Sequence, residues 1–205
     1  GSTIDTFYTT TPPLRVTELM FHPPVPPAGN TNDADNFEFI ELKNISGASL
    51  NVQGFRLGGG IDFVFPSLTL TGGQQVVVVK NLAAFQARYG TSSLVAGVYT
   101  NNLGNDGDHV TLKGAMLEPI LDFTFQDTWY PATDGEGFSL VIVNPNASTD
   151  TWAWKESWRP STAFNGSPGV VDPVPPYLPG ILITEALTHT DPPLLDTVEL
   201  FNPTF

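Results

Sequence analysis

The sequence contains no cysteine, and it has only eight lysine and arginine residues against 21 aspartate and glutamate residues. Without cysteine the chain forms no disulfide bond and offers no thiolate to a metal, although this leaves the cellular compartment open. The formal net charge is −13, and the basic residues are scattered singly along the chain. There is no basic patch to neutralise phosphates, so we expect no direct binding of nucleic acid.

Long apolar runs are also missing. No stretch approaches the roughly 18 apolar residues that a membrane-spanning helix needs, so we expect no membrane insertion. Glycine and proline are abundant instead, with 19 of each among 205 residues. They separate short stretches rich in β-branched and aromatic residues, which is typical of an all-β sandwich.

Nine strands are predicted from these stretches. They cover residues 14–21, 37–45, 52–57, 61–65, 74–80, 95–100, 109–113, 120–126 and 138–143. Residues 76–79 are four consecutive valines, which are apolar on both faces of a strand. This pattern predicts a central strand that is covered on both sides.

One short helix is predicted over about residues 81–89. Asn81 suits the N-cap position, and Gly90 suits a left-handed C-terminal stop. Three apolar side chains share one face of this helix: Leu82, Phe85 and Tyr89. We expect this face to pack against the sandwich.

The end of the chain repeats its beginning. LRVTELMFH at 14–22 aligns with ILITEALTH at 181–189, and IELKNIS at 40–46 aligns with VELFNPT at 198–204. The offset falls from 167 to 158 residues between the two matches, which places a deletion in the connecting loop. The sequence therefore predicts one complete domain and the opening of a second.

This repeat divides the chain into four parts. Residues 1–11 are interpreted as a tag remnant, beginning Gly-Ser, with an N-terminal extension, and residues 12–170 as the complete domain. Residues 171–180 form a proline-rich linker that favours extended geometry. Residues 181–205 hold the first strands of a truncated second repeat. Because two strands alone are marginal in water, we expect self-association or strand exchange through this segment, with an edge of the first domain or a neighbouring molecule.

Five segments together resemble a known family. They are VTELMFHPP, FEFIELKNISGASLNVQGFRL, GGQQVVVVKNLAAFQARYG, LGNDGDHVTLKGA and ESWRPSTAFNGSPG. In this order they resemble a lamin tail domain of the bacterial type, over about residues 12–172. The resemblance implies an immunoglobulin-like β-sandwich with a small helix in a crossing loop. It also implies a bacterial protein that is secreted or attached to the cell surface, with several modules.

The function expected from the resemblance is a non-catalytic interaction or spacer module. Its partners would be other protein modules or cell-surface components, and no cofactor is expected. No catalytic residues of the family map onto this sequence, and neither coiled-coil heptads nor a prenylation signal supports the nuclear role of the animal relatives. A more distant alternative is an accessory domain of an enzyme whose catalytic part lies elsewhere.

Catalysis finds little support among the residues themselves. The histidines have no triad spacing, and a GxSxG motif is absent. Carboxylates do recur at matching repeat positions, Glu18 with Glu185 and Glu41 with Glu199. A carboxylate at the same place in every copy of a module is better explained as a partner for backbone amides than as a general acid or base.

Calcium binding is the first alternative. Two loops are rich in oxygen ligands, and their candidate carboxylates are Asp33, Asp35, Asp106 and Asp108. Neither loop has the 12-residue pattern with a closing glutamate, and Asn, Asp and Gly are also what tight turns need. Turn chemistry is therefore the simpler interpretation.

Carbohydrate binding is the second alternative, and either one would make the chain an adhesion module. If TWAWKESW is extended, Trp152 and Trp154 share a face, and Trp129 lies in another loop that would supply a third ring. The competing interpretation is that these rings cover the open end of the sandwich.

Overall fold

The computed structural model describes residues 11–175, 182–192 and 194–201. The chain divides into two compact units, with the boundary between Asp172 and Pro173. The first unit is a sandwich of β-sheets with one short α-helix, which confirms the fold class predicted from the sequence. No helix of the described residues is long and apolar enough to span a membrane.

The strands of the first unit are short, as the spacing of glycine and proline predicts. They are β1 (Leu14–Met20), β2 (Phe39–Asn44), β3 (Leu50–Asn51), β4 (Arg56–Gly59), β5 (Ile61–Val64), β6 (Thr69–Leu70), β7 (Gln75–Val79), β8 (Val95–Val98), β9 (Thr100–Asn101), β10 (Asp108–Lys113), β11 (Pro119–Phe125), β12 (Leu140–Ile142) and β13 (Trp158–Pro160). The helix α1 (Leu82–Tyr89) lies between β7 and β8. Short 3-10 turns cover Ala34–Phe37, Asp127–Trp129, Pro131–Thr133, Thr149–Ala153 and Lys155–Ser157.

Two main sheets enclose the core. The first has the order β13-β12-β1-β2-β7-β8 and the second the order β11-β10-β4-β5-β9, while β3 and β6 form a small separate pair. All pairs are antiparallel except β7 with β8. Val16 and Val78 of the first sheet pack in one buried cluster with Leu57 and Phe123 of the second. The core therefore lies between the sheets.

The valine strand β7 is covered on both sides, as predicted. Val76 and Val78 belong to the core between the sheets. Val77 and Val79 belong to a second buried cluster on the other face, which includes Phe85 of α1. Because side chains alternate across a strand, one valine run serves both layers.

Helix α1 begins and ends where the sequence predicts. Asn81 Oδ1 accepts a hydrogen bond of 3.1 Å from the Ala84 amide, and Gly90 has φ 76°, the left-handed region that favours glycine. The predicted apolar face is partly wrong. Phe85 is buried and packs with Tyr89, but Leu82 is exposed and Ala84 is buried in its place.

Two strand predictions also differ from the structure. A turn at Gly54 breaks the predicted strand 52–57. Gly54 has φ 79°, and its amide donates a hydrogen bond to Phe65 O. Strand β4 begins only after this turn, at Arg56. The run 95–100 is divided at Tyr99 into β8 and β9. Strands β3, β6 and β13 were not predicted, because each has only two or three residues and forms through pairing, β3 with β6 and β13 with β12.

The second unit contains an antiparallel hairpin, β14 (Leu182–Leu187) with β15 (Thr197–Phe201). Its pairing matches that of β1 with β2: Glu185 lies opposite Glu199 as Glu18 lies opposite Glu41. Both hairpins have an irregularity directly before the first of these glutamates. The two segments that repeat in sequence therefore also repeat in pairing geometry.

The pairing predicted for residues 181–205 was with another edge or another molecule. In the structure β14 and β15 pair with each other, and association of this hairpin with a partner stays a prediction. Part of the predicted linker, residues 176–180, and most of the predicted N-terminal extension, residues 1–10, lie outside the described residues.

Candidate functional site

The two acidic loops meet at one point. Asn102 Nδ2 donates a hydrogen bond of 2.8 Å to Asp35 Oδ2, which joins the loop before β2 to the loop after β9. Asp33 and Asp106 are exposed. Asp108 accepts hydrogen bonds from the Gly104 amide and from its neighbour's amide, as turn residues do. No group of three or more His, Cys, Asp or Glu side chains is arranged to hold a metal ion in the part of the chain that the structure describes.

A buried glutamate between these loops was missed by the sequence analysis. Glu38 is fully buried, and its Oε2 accepts hydrogen bonds from the Tyr99 hydroxyl at 2.7 Å and from the Leu103 amide at 3.0 Å. Burial raises the pKa of Glu38 to about 7. The side chain thus anchors the segment after β8 to the start of β2. No sequence motif marks it, because its partners are 61 and 65 residues away.

The tryptophans do not form a shared stacking surface. Trp152 lies in the 3-10 turn Thr149–Ala153 with 0% exposure, and its Nε1 donates to Val16 O at 3.1 Å. Trp154 is 58% exposed, while Trp129 is partly buried against the core. The shared face of Trp152 and Trp154 was expected only if TWAWKESW is extended, and Thr149–Ala153 forms a 3-10 turn instead.

The recurring carboxylate Glu18 lies inside the first unit. Its Oε1 accepts hydrogen bonds from the Ser139 hydroxyl and from the Ser167 amide, the latter at 2.8 Å. Its Oε2 accepts one from the Ser167 hydroxyl at 3.2 Å. Burial, and next the negative charge of Glu41, raise the pKa of Glu18 to about 8. The raised pKa favours the protonated, neutral form of Glu18 in the folded chain.

Glu41 is buried opposite Glu18 in the β1–β2 ladder. Its Oε1 accepts from Thr17 Oγ1 at 2.6 Å and from Gln75 Nε2 at 2.8 Å, and its Oε2 accepts from the Gly169 amide at 2.7 Å. Burial raises the pKa of Glu41 as well. Its oxygens thus bind groups of the protein itself.

Together the two carboxylates hold the closing segment, residues 161–172, against the outer face of the first sheet. An ion pair reinforces the far end of this segment: Arg159 Nη1 lies 2.5 Å from Asp172 Oδ1, and Asp172 also accepts from the Thr162 amide. Both glutamates are 1% exposed, so a substrate in solution has no access to them. This geometry fits the backbone-partner interpretation of the recurring carboxylates.

A groove on the same side of the first unit has features of a binding site that the sequence did not indicate. It has a volume of about 410 Å³ and lies between the loop after β1, the end of α1 and the closing segment. Its described lining consists of Pro24, Val25, Pro27, Asn30, Phe37, Ala87, Arg88, Phe164 and Asn165. We call it the Arg88 groove.

Comparison of the chain with models of known protein families and with curated protein sequences gives no match.

Proposed function

We propose that this chain is a non-catalytic interaction or spacer module of the lamin tail type, belonging to a larger bacterial protein that is secreted or attached to the cell surface. It would contact other protein modules or components of the cell envelope and would need no cofactor. Catalysis is not part of the proposal, because the carboxylates that recur in both repeats are buried and bonded within the protein in the first copy.

The observation that carries the proposal is where the resembling segments meet. Glu18 lies in VTELMFHPP, Glu41 in FEFIELKNISGASLNVQGFRL and Gln75 in GGQQVVVVKNLAAFQARYG, while Ser167 and Gly169 lie in the closing segment. They form a hydrogen-bond network in two parts, one joining Glu18 to Ser167 and the other joining Glu41 to Gln75 and Gly169. The network explains physically why these segments occur together in one domain, which supports the family resemblance.

The repeated hairpin supports a modular arrangement. Thr184 Oγ1 donates to Glu199 Oε1 at 2.8 Å, as Thr17 Oγ1 donates to Glu41 Oε1 at 2.6 Å. The second unit therefore reproduces part of the same network. We propose that it is the opening of a second module of this type.

Binding to bacterial cell envelopes tests the proposal. Fluorescently labelled chain should bind isolated envelopes saturably, and unlabelled chain should compete. Protease treatment of the envelopes should abolish binding if the partner is a protein. The Glu18→Gln variant should bind equally well, because Glu18 has a structural role.

Two outcomes would contradict the proposal. One is the absence of saturable binding to envelopes and to isolated cell-surface proteins. The other is turnover of a substrate by the chain that is lost in both Glu18→Gln and Glu41→Gln variants that remain folded.

A calcium-dependent adhesion module is the second candidate function. The hydrogen bond between Asp35 and Asn102 supports this candidate, because it brings the two acidic loops together. The carbohydrate-binding alternative is weaker, because Trp152 is buried.

A further inference from the structure

The Arg88 groove contains a cation with an unused donor. The Arg88 guanidinium lies over the Phe37 ring, 3.5 Å from the ring centroid. Its Nη1 is buried and has no hydrogen-bond partner among the described residues. An arginine guanidinium is always charged in proteins, and a buried donor without an acceptor is unfavourable. An acceptor that enters the groove beside the guanidinium would satisfy this donor once the side chain turns toward it.

The walls of the groove are apolar and open to solvent. Val25 is 85% exposed and Phe164 is 61% exposed, although both are large apolar side chains. Proline residues at 24 and 27 restrict the loop that forms one wall. The opposite wall is held by a hydrogen bond of 2.8 Å from the Tyr89 hydroxyl to Asn165 O. These two restraints hold the walls of the groove in position.

We propose that the Arg88 groove binds a peptide segment of a partner protein in which an acidic side chain is flanked by apolar side chains. The carboxylate would accept a hydrogen bond from Arg88 Nη1, and the apolar neighbours would pack against Val25 and Phe164. The inference rests on the proposed interaction function and names the chemistry of the partner.

Size and charge favour a peptide of this kind. A groove of about 410 Å³ has room for a few side chains, within the usual range of ligand sites. Among the described residues that line the groove, Arg88 is the sole charged one. A single positive charge suits one carboxylate better than a dianionic phosphate. The chain as a whole is strongly acidic, with a formal net charge of −13. Arg88 forms no ion pair with a carboxylate among the described residues, so this cation in an apolar groove is a distinctive feature of the surface.

A matched pair of peptides tests the proposal without altering the protein. The probes are acetyl-Phe-Glu-Phe-amide and acetyl-Phe-Gln-Phe-amide, whose blocked ends leave the glutamate side chain as the single carboxylate. Each is titrated into the ¹⁵N-labelled full chain and followed by amide chemical shifts. We expect the Glu peptide to bind at least tenfold more tightly, about 1.4 kcal/mol, with shifts centred on Val25, Arg88 and Phe164.

Variants then separate the charge from the apolar walls. Arg88→Gln should make the two peptides bind equally, whereas Arg56→Gln, which removes an exposed arginine on β4, should leave the tenfold preference unchanged. Phe164→Ser should weaken both peptides and keep their ratio. If Arg88→Gln does not fold, Arg88→Lys keeps the charge but loses the planar contact with Phe37, and the preference should shrink.

The proposal would be overturned by equal binding of both peptides to the wild-type chain, by shifts centred outside the groove, or by inorganic phosphate binding more tightly than the Glu peptide. These results differ from a failure of the proposed function. Saturable binding to cell envelopes that persists in Arg88→Gln would leave the interaction module in place and exclude this groove as its contact surface.

Discussion

The Ser167 amide donates a hydrogen bond of 2.8 Å to Glu18 Oε1, which joins residues 149 positions apart. Glu18 lies on the first strand and Ser167 in the closing segment of the same unit. The bond is buried, so water does not compete for its partners in the folded structure. A carboxylate from the start of the domain thereby holds its end in place, and the stability of the unit should depend on the protonation of that carboxylate.

Stability should therefore fall as pH rises. Burial raises the pKa of Glu18 to about 8, against an ordinary value of 4.5. Between these values the folded chain holds a proton that the unfolded chain has lost, so the free energy of unfolding decreases with rising pH. Glu18→Gln cannot ionise and should show a shallower decrease. Urea unfolding at pH 5 and pH 8 measures the difference.

The control for this prediction is Glu156→Gln, which removes an exposed carboxylate and should keep the wild-type dependence on pH. Part of the decrease should remain in Glu18→Gln, because burial also raises the pKa of Glu38, to about 7. An identical pH dependence in wild type and Glu18→Gln would contradict the role assigned to Glu18.

The same substitution should destabilise the chain far more at Trp152 than at Trp154. Trp152→Phe leaves a void in the core and removes the hydrogen bond to Val16 O, so we expect it to lower the free energy of unfolding by about 2 to 3 kcal/mol. Trp154→Phe changes an exposed side chain and should cost less than about 0.5 kcal/mol. Urea unfolding followed by circular dichroism gives both values, and similar costs would show that Trp152 is not a core residue.

Calcium should leave the thermal midpoint unchanged if the chain is a module of the proposed type. A ligand that binds only the folded state raises the midpoint by linkage, so melts with excess calcium and with chelator discriminate the two candidates. Calcium would instead raise the midpoint by several degrees in a calcium-dependent adhesion module. That increase should be lost in Asp35→Asn, or in the double variant with Asp106→Asn and Asp108→Asn.

Hairpin β14–β15 should exchange its amide hydrogens much faster than β1–β2. Ile183 and Val198 are exposed, whereas Val16 and Ile40 at the matching positions of the first copy are fully buried. An isolated two-stranded hairpin is marginally stable in water, so its local opening should cost little free energy. Hydrogen exchange measured by NMR compares the matching amides directly. Strong protection of residues 182–187 that depends on protein concentration would instead support the self-association predicted from the sequence.

Local patterns were the most reliable guide to this fold. Asn81 and Gly90 mark the ends of α1 because capping depends on neighbours within a few residues. The four valines of β7 indicate burial on both faces for a similarly local reason. Leu82 was wrongly predicted to be buried, because the sheet beneath a short helix decides which face of the helix is buried.

Distant contacts could not be predicted in the same way. The networks of Glu18 and Glu38 join residues more than 60 positions apart, and strand β13 exists only through its pairing with β12. Trp152 and Trp154 have the same side chain and nearly the same position in sequence, yet one is buried and the other is exposed.

The sequence by itself determined that the chain is an all-β protein with one short helix and a repeated strand pair, because these features follow from side-chain periodicity, turn residues and internal similarity. Tertiary structure alone decided that burial raises the pKa of both recurring glutamates of the first copy, and that Arg88 lies in an apolar groove with a donor that has no partner among the described residues. Burial and charge balance depend on which surfaces meet, and that is settled only when segments far apart in the chain pack together.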